Sequence, residues 1–488
     1  MSKRIIVVGS GNAALCAGIA AAEAGARVLI VEKANEALAG GNTKYTAGAM
    51  RFAYEGRDDL LPLIRDRDDP RLARSDFGGY TEAQFKDDLL GFNGGRPLSP
   101  EQERLIGSSR ETMRWLGSHG VVFEPIYSRQ SFERDGRHVF WGGLTLAARN
   151  EGVGLFEMEL DAFRRLGGDI RFDSAVTGLI VTDGRVSGVR IGEEALAADA
   201  VILASGGLEA SEQMRRDLMG EKWIAAKVRG TPHNTGDGLR MAFDLGAHRH
   251  GLYDQCHATP MDLHMADFGG LHLDPGERKN YRKICYFLGL MLNARGERFV
   301  DEGENLRNYT YAQFGAAVLD QPGGFAWQVF DRQTRDLLYA EYDFHDAHFV
   351  EADTIEALCD KLDGVDAAAA RETIRAFNAA ADRETPFDPT RLDGKGTRGI
   401  TPPKSNWAMP IEQPPFRAYP VTGGITFTYG GLKVSDRGGV VGEDGQDIPG
   451  LFACGELVGG VFYEGYPGGS GLTSGAVFGR LAGRVAAA

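Results

Sequence analysis

The first apolar run, Arg4-Ile-Ile-Val-Val8, is almost wholly β-branched and has no polar alternation, which predicts a strand buried on both faces. It breaks at Gly9-Ser-Gly11-Asn12-Ala13-Ala14, and the Ala-rich stretch beyond predicts a helix ending near Ala24. A second continuous run from Val28 to Val31 predicts another buried parallel strand, ending at Glu32. Residues 57–87 are rich in Arg and Asp and predict surface helix and loop, with breaks at Pro62 and Pro70 and again at Pro97. Residues 170–191 alternate as strands around the turn Asp183-Gly184, and 200–204 form a further buried strand stopped by Ser205-Gly206-Gly207. From about His250 aromatic, histidine and basic residues become denser, and helices are predicted near 308–319 and 365–382. After the Pro-rich stretch 402–420, Gly-rich strands return and lead to a closing helix from about Thr473. One α/β domain built from both chain ends and interrupted by an inserted domain accounts for this order.

Composition narrows what such a chain does. Gly makes up 67 of 488 residues, about twice the usual share, in pairs such as Gly40-Gly41, Gly206-Gly207, Gly423-Gly424, Gly430-Gly431, Gly459-Gly460 and Gly468-Gly469. Backbone must therefore approach something closely at several separated places. The net charge of -14 repels a phosphate backbone, so nucleic acid is excluded as a partner. The five cysteines have no CxxC or iron–sulfur spacing and suit a reducing compartment. The most apolar early stretch, 13–22, is too short to span a membrane, and no signal segment precedes the first strand; a cytoplasmic protein, not itself in the membrane, is expected.

Gly9-x-Gly11-x-x-Ala14 lies between a predicted strand and helix, the setting in which such a turn binds a dinucleotide pyrophosphate. The helix start near Asn12 and Ala13 offers free N–H groups to it, and Glu32 stands where an acid binds ribose hydroxyls. These residues alone leave nicotinamide, flavin and a merely tight turn open.

Further segments carry a family likeness: Gly41-Asn42-Thr43 with Thr46-Ala47-Gly48, Ala204-Ser205-Gly206-Gly207, Thr235-Gly236-Asp237-Gly238, and Cys454-Gly455-Glu456 followed by Ser470-Gly471-Leu472. In their order and spacing the chain resembles the fumarate reductase and succinate dehydrogenase flavoproteins, with the 3-ketosteroid dehydrogenases as relatives. The resemblance implies FAD lined by these segments, with Val176 near the adenine and Lys33 beside the ribose acid. It implies an α/β fold: a Rossmann-like FAD-binding domain of residues 1–249 and 426–488 with an inserted α+β capping domain, 250–425, for the substrate. The histidine that holds flavin covalently in succinate dehydrogenase has no counterpart between Gly41 and Gly48, so non-covalent FAD is expected.

Within the inserted part, the stretch from Asn293 through Arg298 to Glu302 leads to Arg307, which the resemblance makes the proton shuttle, with hydride passing to flavin N5. His257 matches a histidine that binds a substrate carboxylate. Two departures stand out: Thr426-Phe-Thr-Tyr429 replaces the segment of a second such histidine, and Tyr466-Pro-Gly-Gly replaces a second substrate arginine. Tyr466 resembles the carbonyl-polarising tyrosine of ketosteroid dehydrogenases. The segments around Arg51, Tyr281, Arg307 and Tyr466 are together similar to the tricarballylate dehydrogenases. That likeness implies oxidation of a polycarboxylate CH–CH bond, tricarballylate to cis-aconitate, with electrons passed to a separate membrane-associated iron–sulfur protein. Steroid-dehydrogenase-like and fumarate-reductase-like enzymes, and an electron-transfer or assembly flavoprotein subunit, stay open. The basic run Arg278-Lys279-Asn-Tyr-Arg282-Lys283 reads either as a lure for a polyanion or as a solvated face. His248-x-His250 and His345-x-x-His348 lack further ligands at metal spacing, and no metal site is expected.

Overall fold

A computed structural model describes residues 2–488. The elements that position the site begin with β1 (Arg4–Val8), α1 (Asn12–Glu23), β2 (Arg27–Val31), α2 (Pro100–Ser118), α3 (Glu151–Arg165), β3 (Asp169–Arg171) and β4 (Ala200–Leu203). They continue with β5 (Lys227–Val228), β6 (Cys256–Asp262), β7 (Leu290–Leu292), α4 (Arg307–Leu319), β8 (Phe325–Phe330), β9 (Val350–Ala352) and α5 (Ala367–Ala380). The last are β10 (Phe416–Thr428), β11 (Gly439–Val441), β12 (Asp447–Ala453) and α6 (Ser470–Ala487). The chain divides into two compact units, one of residues up to Met219 with Gly230–Cys256 and Phe427–Ala488, the other of Gly220–Arg229 and His257–Thr426. These divisions differ from those expected at 249/250 and 425/426. The segment Gly220–Arg229 falls in the second unit because β5 pairs with β10, Lys227 opposite Gly424 and Val228 opposite Ile425.

The first unit is built on a sheet of order β11-β12-β4-β1-β2-β3. Strand β1 runs parallel to both neighbours, Ile5 lying opposite Val28 and Ala200. Its four β-branched residues are buried, as is every residue of β4, the pattern of parallel strands covered on both faces. The cover over α1 is unusually thin. In α6, Gly475, Gly479 and Gly483 recur every four residues and form one stripe. A Cβ at Gly479 would lie 2.3 Å from the carbonyl oxygen of Ala13, and one at Gly483 2.1 Å from that of Ala17, so α6 and α1 meet backbone to backbone. Two helices not expected above also belong here. Helix α2 starts in a capping box, Ser99 Oγ accepting from Gln102 N at 3.0 Å and Gln102 Oε1 from Ser99 N at 3.1 Å. Helix α3 opens on a glycine that helix propensity counts against it, but a Cβ at Gly152 would meet the carbonyl of Thr43 at 1.9 Å, so the helix start seats the 41–48 loop.

In the second unit β10 is the hub: β5, β6, β8 and β9 all pair with it, and β7 extends the sheet beyond β8. Helix α4 lies against β10 and β6 without intervening side chains. A Cβ at Gly423 would stand 2.3 Å from Gly315 O, and one at Gly315 2.5 Å from the carbonyl carbon of Ala258. Gly423 thus serves packing, and through it fixes where α4 begins. Leu290, Trp327, Val329, Ile374 and Phe377 fill the core between sheet and α5. All five cysteines are buried free thiols. Among the described residues, no helix is long and apolar enough to cross a membrane.

Candidate flavin and substrate sites

The turn after β1 is drawn tight against two strands. Gly9 N donates to Val31 O at 2.8 Å, its φ is +105°, and a Cβ there would lie 2.4 Å from Ala204 O; only glycine satisfies both conditions. At Gly11 the surroundings are open, the nearest atoms to an added Cβ being Thr43 Oγ1 at 3.4 Å and Gly40 O at 3.6 Å. Helix α1 starts there with no side-chain cap at its N-cap residue, and Thr43 Oγ1 accepts from Asn12 N at 2.9 Å. The start of α6 is fastened beside it, since Asn12 Nδ2 donates to Leu472 O at 2.8 Å. Two positive helix ends thus face the same region. Glu32 is buried, accepting from Ser10 Oγ at 2.6 Å and Ala34 N at 2.7 Å. Ser10, which carries no motif of its own, also accepts from Gly40 N at 2.9 Å and so ties the acid to the Gly-Gly loop. The Val176 segment is anchored to the same residue, Ser174 N donating to Glu32 O at 2.8 Å. Thr46 Oγ1 donates to Thr43 O and accepts from Gly48 N, closing the turn around Ala47.

Three expected cofactor residues prove to be bound together. Lys33 Nζ donates to Thr235 Oγ1 at 2.6 Å and to Asp237 Oδ2 at 2.8 Å, pinning the start of the Asp237–Phe243 helix. Burial would raise the Asp237 carboxyl, but the hydrogen bond and charge of Lys33 outweigh it and hold the group below its ordinary range. Lys33→Met is expected to cost roughly 1 kcal/mol at neutral pH, allowing for partial exposure. Because the shift is downward, the wild type's advantage is full above about pH 4 and fades as pH falls further. Thermal melts of both proteins between acid and neutral pH check this.

A second cluster, around Glu209, has no signature in the sequence. Its Oε1 accepts from Asn42 Nδ2 and from Asn234 Nδ2, both at 2.7 Å, while Asn42 Oδ1 accepts from Thr231 N at 3.0 Å. Glu456 Oε1 accepts from Thr428 N at 2.7 Å and Thr428 Oγ1 at 3.0 Å. Both carboxyls overlie Gly207, where a Cβ would come 2.0 Å from Glu456 Oε1 and 2.7 Å from Glu209 Oε2. Ser205 Oγ, next to this turn, is buried and has no hydrogen-bond partner. An orphaned hydroxyl, an open Gly11 and helix starts joined side by side fit a long dinucleotide laid along these segments.

Tyr466 sits in the same unit within a group of rings, 5.3 Å from Phe427 and 5.4 Å from Phe462 between centroids, with Tyr429 5.5 Å from Phe427. Phe427 also lies over Gly471, 3.6 Å from where a Cβ would be. Arg51, wholly buried, shapes this loop: its Nε donates to Gly468 O at 2.8 Å and its backbone N to Gly469 O at 3.0 Å.

The second unit holds Arg307 and His257. Arg307 is the first residue of α4, so the Gly315–Gly423 contact sets its position. Its guanidinium lies 5.4 Å from the Tyr339 ring and 5.7 Å from that of Tyr311, and its enclosed Nε has no hydrogen-bond partner. Removal from water would lower its pKa, but Tyr339, Tyr311 and Tyr286 more than offset this and keep it a cation. The His257 ring meets that of Tyr311 edge-on at 5.0 Å. Burial, then the nearby charges of Arg229 and Arg282, hold His257 well below its usual value, so it is neutral at neutral pH. Arg229 is buried and was not expected at the site. The basic run is neither a solvated face nor an open lure. Arg282 pairs with Glu341 at 2.5 Å, Arg278 donates to Leu271 O and Leu273 O, and Lys283 donates to Glu341 O at 3.0 Å, its pKa lowered to about 8 by burial. Of that run, Arg282 acts on the charge balance of His257. Arg298 and Glu302, ahead of Arg307, form a buried ion pair whose acid also accepts from Met291 N at 2.9 Å, a clasp on β7 rather than a reacting group. Of the paired histidines, His250 lies 3.5 Å from Glu101 and His348 3.0 Å from Asp262; no described group of three or more His, Cys, Asp or Glu could hold a metal.

A largely parallel sheet, two helix starts without side-chain caps at their N-cap residues, glycine turns and a buried acid after β2 define a dinucleotide-binding protein. The chain belongs to the FAD binding domain family, FAD_binding_2, whose profile matches residues 4–472. It is 27% identical to the probable fumarate reductase Ifc3 of Shewanella frigidimarina over 99% of this chain and 74% of that protein. It is 28% identical to 4-oxocyclohexanecarboxylate 2-dehydrogenase of Sinomonas cyclohexanicum, covering 83% and 73%. In fold it is similar to the 3-ketosteroid Δ1-dehydrogenase of Sterolibacterium denitrificans, TM-score 0.74 at 21% identity, with both chains fully covered. The protein is an FAD-dependent oxidoreductase of the fumarate reductase and succinate dehydrogenase flavoprotein family, acting on CH–CH bonds.

Proposed function

We propose that this oxidoreductase removes a hydride and a proton across a CH–CH bond of a polycarboxylate, of the kind that converts tricarballylate to cis-aconitate. The observation that carries the reading is the group Arg307, Tyr311 and His257, with the charges of Arg229 and Arg282 directed at the histidine. A C–H beside a carboxylate loses its proton only if the developing enolate charge is stabilised, which fixed cations do well away from water. FAD, when bound, supplies the hydride acceptor; Gly9, Gly11, Asn42, Ser205, Glu456 and the start of α6 would hold it. We also infer that it is held non-covalently and passes its electrons to a separate carrier, an iron–sulfur protein at the membrane by likeness to the tricarballylate dehydrogenases. Arg307 stays protonated, so it relays a proton rather than removing one as a free base: it accepts one from the substrate side as it gives one to the half-buried Tyr311 or Tyr339, whose hydroxyl passes its own proton to solvent.

His257 starts neutral, and a carboxylate against it favours the charged form. Substrate binding near neutral pH is therefore expected to take up about one proton at the histidine. An indicator dye in weak buffer reads this, and the absence of uptake with a bound polycarboxylate would reject His257 as the carboxylate partner. The aromatic surround of Tyr466 favours a second reading, a ring ketone whose carbonyl that hydroxyl polarises. Anaerobic loss of oxidised-flavin absorbance distinguishes them: bleaching by tricarballylate supports the first, and bleaching by a 3-ketosteroid or an oxocyclohexane carboxylate alone the second.

A further inference from the structure

We propose that Glu209 and Glu456 share a single proton, and that this proton fastens together the segments that grip the cofactor and is required for FAD to stay bound. Glu209 joins three of them: the 41–43 loop through Asn42, the turn at Gly207 that it overlies, and residues 231–234 through Asn234 and, by way of Asn42, Thr231. Its partner Glu456 holds a fourth, the end of β10, through the N–H and hydroxyl of Thr428. Glu209 is wholly buried and Glu456 half-buried, and they meet over Gly207, where Glu209 Oε2, the oxygen turned to Glu456, is enclosed and has no hydrogen-bond donor. Two carboxylates in contact away from water cannot both be ionised, and one proton between them turns repulsion into a bond. Desolvation pushes both carboxyls toward the protonated side, and at Glu456, the more strongly shifted, the charge of Glu209 adds to it. The charged group facing the pair from another element is Arg215, which Glu209 attracts; Asn42, Asn234 and Thr428 are its neutral partners. When the proton leaves, Glu456 and Glu209 repel, the Gly207 turn between them opens, and Asn42 and Asn234 lose a fixed acceptor. Glu209 is in this account a positioning residue for the cofactor, distinct from the groups that contact substrate.

The test uses the FAD-loaded protein and reads released flavin by its fluorescence after dilution, over roughly pH 6 to 9.5. If binding requires one proton, the dissociation constant is level at first and then rises about tenfold per pH unit on the alkaline side. Glu209→Gln keeps the acceptor for both amides and removes the charge, so its dissociation constant is expected to stay within several-fold of the wild-type acid value with no alkaline rise. Glu456→Gln, whatever its affinity at acid pH, is expected likewise to show no alkaline rise. An unchanged alkaline rise in Glu209→Gln, or a wild-type profile that is flat throughout, overturns the proposal. Should neither variant fold, calorimetry of FAD binding to wild-type apoprotein in two buffers of different ionisation heat decides it. Uptake of about one proton per FAD on the alkaline side supports the shared proton, and zero uptake rejects it.

Discussion

Arg307→Ala is expected to leave FAD bound with its oxidised spectrum intact and to lower turnover by about a thousandfold or more. The residue lies in the second unit, whereas every side chain assigned to the cofactor lies in the first, so loss of the guanidinium removes reaction chemistry without touching the cradle. The arginine contributes both a permanent positive charge for the enolate and a route for the proton, and alanine supplies neither. Arg307→Lys restores the charge without the planar fork that fits between Tyr311 and Tyr339, so it should recover only a small part of the rate. Dye reduction with saturating substrate, normalised to bound flavin, measures the effect. Activity within tenfold of wild type in the alanine variant would exclude Arg307 as the proton relay.

Gly9→Ala should do the reverse, abolishing retention of FAD while leaving the second unit folded. The residue sits at φ +105°, where a Cβ costs about 1–2 kcal/mol, and that Cβ would lie 2.4 Å from the backbone oxygen of Ala204. Neither side can yield cheaply: Val8 pairs with Leu203 and with Val31 in the centre of the sheet. The total is expected to reach roughly 3 kcal/mol or more, with FAD bound at least a hundredfold less tightly. Equilibrium dialysis with free FAD checks it, and near-normal affinity would mean that the turn does not approach the pyrophosphate.

Elements built from local pattern are legible in the amino-acid sequence itself. Strand β1 has the bounds its β-branched run predicts, α4 and α5 begin and end within two residues of the expected limits, and the fingerprint turn lies between β1 and α1. The helix start at Ser99-Pro100 carries a capping signal in its own sequence, whereas the glycine-rich start of α3 carries none, since its reason is the Thr43 carbonyl of a distant loop. The hub at Glu209 is hidden because its partners Asn42 and Glu456 lie far away along the chain on either side. The basic run misleads for a related reason: four cations in six residues suggest a surface, and only the fold supplies Glu341 and the carbonyls of Leu271 and Leu273 that bury them. Glycine, by contrast, is informative in number and ambiguous in cause. Gly9 answers to a turn, Gly423 to a helix laid on a strand, and Gly459 to the carbonyl of His250, 2.1 Å from its missing Cβ.

The glycine stripe of α6 has a bearing on how the protein is made. Helix α1 leaves the ribosome long before the surface that covers it, Gly475, Gly479 and Gly483. Until then α1 exposes an Ala-rich face, and β4 lacks its outer neighbour β12. The part of the first unit that precedes the inserted unit must therefore wait, open, while the inserted unit, contiguous apart from its ten-residue outpost, can fold as it appears. The cofactor cradle is in consequence complete only once the start of α6 has been made, and a chaperone that shelters α1 has a longer task here than in a domain encoded in one piece.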